Sequence, residues 1–233
     1  MILTNAPVNR TRDIVLPFDN YQNCVLYLPF YLYGAKTSKI WDKSKYGHHA
    51  TITGAILSST SPGWYFNGVG DGVAVTTNSG IQNFSALTVL VWLNSTAFTG
   101  VTRQPFDYGY WLGTFGFMTY ADANSDIFVW YLKNTAATQD TAAVTFMPDV
   151  SELHGFTWDG TNWWTIRNGV TTAQGAFGGV LGCSSYNLTI GNKYNFGKGW
   201  GGIIHEFVLE NKYMTDVEIK NYYELTRRRY PGA

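Results

Sequence analysis

The sequence predicts an all-β protein, an antiparallel two-sheet sandwich of jelly-roll type closed by one short C-terminal helix. Three observations predict it. Short apolar runs recur at regular intervals along the 233 residues, too short for helices and rich in Val, Ile, Thr and aromatics. Turn dipeptides separate them: Asn67-Gly68, Asp71-Gly72, Asp159-Gly160, Asn168-Gly169 and Gly178-Gly179. One helical signature stands near the end, Thr215-Asp216-Val217-Glu218 ahead of Ile219 and Tyr222-Tyr223. There Thr215 can accept from the Glu218 N–H while Glu218 reaches back to the Thr215 N–H, which makes a capping box.

The elements follow in order. Residues 1–23 form an arm of mixed polarity without a clear period. Strand runs are then expected at 25–30, 50–56, 64–66, 73–76, 87–93, 127–132, 142–146, 154–158, 163–167, 170–174, 188–190 and 203–209. Asn168-Gly169 joins two of them with a two-residue loop, and both residues tolerate the positive φ of a type I′ turn. The stretch 96–125 breaks the rhythm. It holds Phe106, Tyr108, Tyr110, Trp111, Phe115, Phe117 and Tyr120, and reads as a strand pair with long loops or as an elaborated surface loop. The alternation Phe106/Tyr108/Tyr110 requires at least one strand there. The domain organisation is therefore an arm (1–23) and one sandwich domain (24–233).

Composition narrows the function classes. Charged residues make up 14% of the chain, and 16 acidic groups balance 16 basic ones. No global field draws it to nucleic acid or an anionic membrane, and near-zero net charge favours assembly. The uncharged stretch 72–102 is interrupted by Thr, Asn, Ser and Gly, so no membrane insertion is expected. The first residues lack the basic start and apolar core of a signal peptide. Four Asn-x-Ser/Thr sequons, at Asn9, Asn83, Asn94 and Asn187, read as coincidence in so Asn- and Thr-rich a chain. Cys24 and Cys183 read as two buried thiols, with one disulfide as the alternative.

Four segments in order resemble the laminin-G-like, concanavalin A-like lectin/glucanase superfamily of the LamG or pentraxin type. They are Val25-Leu26-Tyr27-Leu28-Pro29-Phe30, the loop Trp41-Asp42-Lys43-Ser44-Lys45-Tyr46-Gly47-His48-His49-Ala50, the turn Tyr65-Phe66-Asn67-Gly68-Val69-Gly70-Asp71-Gly72-Val73, and a closing half. The closing half joins Leu153-His154-Gly155-Phe156-Thr157-Trp158-Asp159-Gly160 to Gly202-Ile203-Ile204-His205-Glu206 and the final helix. The resemblance covers roughly residues 24–225. It implies an antiparallel sandwich used mainly to bind glycans or proteins, with some enzymes on the same architecture; fold alone does not choose among these. It also implies that calcium is possible, with Asp42 at the acidic loop position. Where relatives often carry Asp in the closing strand this chain has His205, a poor calcium ligand, and Glu206 beside it is expected on the opposite face.

Catalytic signatures are weak. Glycosidases need two carboxylates flanking the bond, and the E-x-D-x-x-E strand of laminarinase-type enzymes is absent. Glu206 and Glu210 would share a strand face about 13 Å apart. They read as a solvated face, as do Asp122 and Asp126. Ile204-His205-Glu206 is a faint echo of lyase sites. Gly68-Val69-Gly70-Asp71-Gly72 leads into a strand, so it is a tight turn and not a phosphate loop.

The candidate ligand-binding residues are aromatics and amides in turns: Tyr108, Tyr110 and Trp111 in the irregular stretch, and Asn192, Tyr194, Asn195, Phe196 and Trp200 in segment 192–202. Aromatic faces stack on sugars and amides bind hydroxyls, although protein interfaces use the same residues. Arg227-Arg228-Arg229 ends the helix, where cations complement its dipole, and reads as a solvated C-terminus. Pro7, Pro17 and Ile14-Val15-Leu16 in the arm could dock on other protein subunits of an assembly. The expected function is a non-enzymatic structural or decoration protein of a virus or phage particle, contacting host glycans, at a virion surface or extracellular. The alternatives are a free lectin or adhesin, then a polysaccharide-cleaving enzyme.

Overall fold

A computed structural model describes residues 22–32, 37–76, 81–96, 102–109, 115–122, 125–136, 138–181 and 186–230. Most of the arm, together with Cys183, lies outside the described residues. Among them the chain forms β1 (Cys24–Leu28), β2 (Lys39–Ile40), β3 (Ala50–Thr53), β4 (Ile56–Leu57), β5 (Trp64–Asn67), β6 (Gly72–Val75), β7 (Leu87–Ser95) and β8 (Arg103–Tyr108). Next come β9 (Gly116–Ala121), β10 (Ile127–Lys133), β11 (Gln139–Thr145), β12 (Ser151–Trp158), β13 (Asn162–Arg167), β14 (Val170–Ala176), β15 (Leu188–Ile190), β16 (Gly201–Glu210) and α1 (Asp216–Thr226).

Two antiparallel sheets result. The first runs β14-β13-β12-β7-β16-β5-β4, with β1 also paired to β16. The second runs β11-β10-β9-β8-β15-β6-β3-β2. All-β architecture, jelly-roll layering and the lone C-terminal helix are as the sequence predicts. Within 96–125 the described residues include the paired strands β8 and β9. The run at 50–56 is not one strand. Gly54, at φ 76°, turns the chain so that β3 joins the second sheet and β4 the first. A Cβ at Gly54 would collide with the Asp71 carboxylate, so only glycine fits.

Alternation places the core. Val89, Val91 and Leu93 of β7, and Ile204, Phe207 and Leu209 of β16, face Phe106, Phe117, Trp130 and Ile190 across the sandwich. The opposite faces of β7 and β16 are covered too. Leu90, Trp92 and Val208 pack under α1 against Ile219 and Tyr222. Burial on both faces explains why 87–93 is a continuous apolar run rather than an alternating one. Each large side chain so buried contributes about 1.5–3 kcal/mol. The helix starts where the capping box predicts. Thr215 Oγ1 accepts from Glu218 N at 3.3 Å, and Glu218 Oε2 accepts from Thr215 N at 2.8 Å. The β13–β14 turn is also as expected, with Asn168 at φ 49° and Gly169 at φ 79°.

Three expectations about charged residues fail here. Glu206 and Glu210 are buried, not solvated. Glu206 sits beneath α1, accepting from the Tyr222 hydroxyl and, at 3.2 Å, from the Tyr27 hydroxyl. Arg229 stands 3.6 Å from it, so this half-buried arginine pairs with a buried carboxylate instead of trailing in solvent. Burial pushes the Glu206 carboxyl up, and Arg229 and the tyrosines pull against that. His205 and Glu206 do not face opposite ways. A register shift between Ile204 and Glu206 makes His205 the extra residue of a β-bulge. Its ring stacks on Tyr230, centroids 4.5 Å apart, on the side where Glu206 lies.

Cys24 is buried, and burial pushes its thiol well up, which leaves it an inert apolar side chain. No helix among the described residues is long and apolar enough to cross a membrane.

Candidate functional site

The outer face of the second sheet carries a candidate site. On β9, Phe117 and Ala121 point into the core, so Met118 and Tyr120 point out. On β10, Phe128, Trp130 and Leu132 point in, and Tyr131 points out. Register pairs Val129 with Tyr120 and Tyr131 with Met118, which makes the two tyrosines diagonal neighbours. Their rings stack with centroids 5.5 Å apart and planes 27° from parallel, and their hydroxyls lie 3.2 Å apart. With Thr102, Gln104, Asp122, Lys193 and Lys198 they line an open cleft of about 330 Å³.

The two lysines come from the loop after β15, and Asn192 shapes that loop. Its Oδ1 accepts from Lys193 N at 2.8 Å and from Lys198 N at 2.9 Å. Its Nδ2 donates to Asp71 O at 2.8 Å and Val69 O at 3.3 Å. One buried amide therefore bends the loop into a ring and ties it to the β5–β6 turn. Gln104 N donates to Lys198 O at 3.0 Å, which fastens the loop to β8. Tyr194 N donates to Asp107 Oδ2 at 3.2 Å. Phe196, at φ 58°, lays its ring over Gly72, where a Cβ would collide with it.

The predicted site residues divide. Tyr108 is buried and donates to Ile81 O at 2.7 Å, because β8 alternation turns it inward with Phe106. Trp200 is wholly buried and stacks on Phe128 at 5.7 Å. Asn192 is buried with both ends of its amide engaged, so it positions the loop. Each of these three corrects the expectation of a surface role. Tyr194 and Phe196 are half-buried and Asn195 is exposed; all three flank the cleft without lining it. Tyr110 and Trp111 lie outside the described residues.

The sequence reading missed Tyr131, Gln104, Lys193 and Lys198, and met Tyr120 only as one aromatic among many. The signal for Tyr131 was present: if Phe128, Trp130 and Leu132 face the core, Tyr131 must face out.

Asp42 is not placed to hold calcium. Its Oδ1 accepts from Tyr27 N at 2.9 Å and Ser44 N at 2.8 Å, and its Oδ2 from Ser44 Oγ at 2.6 Å and His48 N at 2.8 Å. Four donors occupy the carboxylate, which organises the 41–49 loop. Among the described residues no three His, Cys, Asp or Glu side chains cluster as metal ligands. His205 is spent similarly. Its Nδ1 meets Pro62 O, its Nε2 lies 3.1 Å from Ser151 Oγ, and burial lowers its pKa to about 4.

Comparison with known proteins agrees with this architecture. A laminin-G-type profile of the concanavalin A-like lectin/glucanases superfamily matches residues 67–220, and the chain belongs to that superfamily. Among solved structures it is similar to the ligand-binding domain of botulinum neurotoxin serotype D in complex with N-acetylneuraminic acid. The identity is 13% and the TM-score 0.70, over 88% of this chain and 51% of that one. It is similar to the binding domain of serotype G at 11% identity and TM-score 0.70, over 88% and 51% of the two chains. For the binding domain of Paraclostridial Mosquitocidal Protein 1 the values are 12% and 0.67, over 87% and 52%. The chain thus spans about half the length of the solved domains it matches. No curated protein matches it.

Proposed function

We propose that this chain is a non-catalytic carbohydrate-binding module and that the Tyr120–Tyr131 cleft holds the sugar. The observation that carries the reading is the stacked tyrosine pair on the floor of a polar cleft. An aromatic platform takes the apolar face of a pyranose, while Thr102, Asp122 and the tyrosine hydroxyls suit its hydroxyl groups. Asp122 is the one carboxylate among the lining residues, and glycoside hydrolysis needs a pair. A similar domain is known in complex with N-acetylneuraminic acid, which supports a sugar over a protein partner.

The test is Tyr131→Ala, with binding measured on a glycan array and then by calorimetry. Affinity should fall at least about tenfold, or about 1.4 kcal/mol. The melting temperature should hold to within a few degrees, because Tyr131 is half-exposed. Unchanged affinity would remove the cleft from the proposal.

A second reading makes the module a structural or decoration protein on the surface of a virus or phage particle, its arm gripping neighbouring subunits. Balanced charge favours it. So does the anchoring of the arm's last residue, where Asn211 N donates to Asn23 O at 2.7 Å. The two readings are compatible, since a particle protein can also bind glycans.

A further inference from the structure

We propose that the saccharide taken by this cleft is anionic, carrying a carboxylate or sulfate group that Lys193 and Lys198 receive. The inference rests on the reading of the cleft as a glycan site and deepens it. Two lysines and one aspartate line the cleft, a net charge of 2 − 1 = +1 in a chain whose total is zero. The cationic side of the cleft is built, not incidental. The backbone N–H groups of both lysines are held by the single Oδ1 of buried Asn192, with residues 193–198 folded around one acceptor. That amide is locked in turn by Val69 O and Asp71 O. The two lysines therefore leave the backbone from one fixed ring, beside the tyrosine platform.

Lys193 Nζ lies 5.2 Å from the centre of the Tyr194 ring, a cation–π contact at the edge of the cleft. Arg103, next along β8, turns its guanidinium away from the cleft to Gly68 O and Gly199 O. Asp107 is buried on β8 and accepts from Tyr194 N. Asp122 stands by the tyrosines, where a carboxylate accepts from sugar hydroxyls. The arrangement suits a ring stacked on the tyrosine pair with its acidic substituent directed at the loop. A charge-assisted hydrogen bond there is roughly twice as strong as a neutral one.

Calorimetry on the full chain tests this with a matched pair of ligands, a uronate-containing oligosaccharide and its carboxyl-reduced form, plus a sulfated oligosaccharide. At least one acidic ligand should bind about tenfold or more tighter than the neutral one. The sulfated and uronate arms identify which anion is taken. Lys193→Gln with Lys198→Gln should abolish the preference, and about 0.5 M salt should do the same to the native chain. Asn192→Ala should reduce the preference without removing either ammonium group. If neutral and acidic forms bind equally through a cleft that Tyr131→Ala destroys, the anionic assignment is overturned and the glycan reading stands. If no saccharide of either kind binds, both are overturned.

Discussion

Replacing Glu152 by Gln removes one charge from the most heavily bonded carboxylate among the described residues. Glu152 is on β12 and only 2% exposed. Its Oε1 accepts from Arg167 Nε at 3.0 Å, Arg167 Nη2 at 2.7 Å and Asn168 Nδ2 at 3.2 Å. Its Oε2 accepts from Met147 N at 2.9 Å and faces His154 Nε2 at 3.1 Å. Arg167 also donates to Thr145 Oγ1 at 2.7 Å, so the cluster ties β13 of the first sheet to β11 of the second. Burial alone would raise this carboxyl. The bonds from His154, Met147 and Arg167 outweigh it and hold the carboxyl at about 2. An unfolded glutamate titrates near about 4.3, and each unit is worth about 1.4 kcal/mol, so the ionised form contributes about 3 kcal/mol. Because the folded pKa is the lower one, this stability is complete above about pH 5 and is lost as pH falls towards 2. Urea unfolding followed by circular dichroism, in steps from pH 7 to pH 2.5, should find Glu152→Gln about 3 kcal/mol less stable at neutral pH. For a domain of this size that is about 6–12 °C in Tm. The gap should close as the native carboxyl protonates. A gap that stays constant down to pH 2.5 would falsify the assignment of the stability to the ionised carboxylate.

Two other outcomes are expected. Trp200→Ala should cost about 3–5 kcal/mol, because it empties a fully buried site against Phe128; a loss under about 1 kcal/mol by the same urea assay would mean that Trp200 is not in the core. Deleting residues 1–21 should leave the melting temperature of the domain nearly unchanged while lowering the mass of any assembly seen by sedimentation. An unchanged assembly mass would end the subunit-gripping role of the arm.

The pattern of success and failure in the sequence reading has a physical basis. Strands such as β7, β10, β12 and β16 were legible because their apolar content is dense. The Asn168-Gly169 turn and the Thr215/Glu218 box were legible because each is satisfied within a few residues. Tyr108 and Trp200 were misplaced because an aromatic beside glycines looks like a loop residue until the facing sheet is known. Asn192 reads as a ligand contact because of its amide, but its partners Val69 and Asp71 are more than 120 residues away. Glu206 and Arg229 read as solvated charges, since nothing local shows that α1 folds back over β16 and encloses them.

What the sequence determined by itself is the local code: which segments are extended, where they turn, where the one helix begins, and that they layer as a superfamily sandwich. Periodicity and capping are interactions over two to four residues, and they can be read along the chain. The tertiary structure alone decided which side of each strand became core and which became cleft. It split 50–56 between two sheets at Gly54, put His205 into a bulge beside Glu206, and set Tyr120 next to Tyr131 through the register of β9 on β10. It also brought Lys193 and Lys198 to the edge of that platform. Those outcomes depend on pairings between distant segments, and a one-residue change of register would have turned the same side chains to the other face.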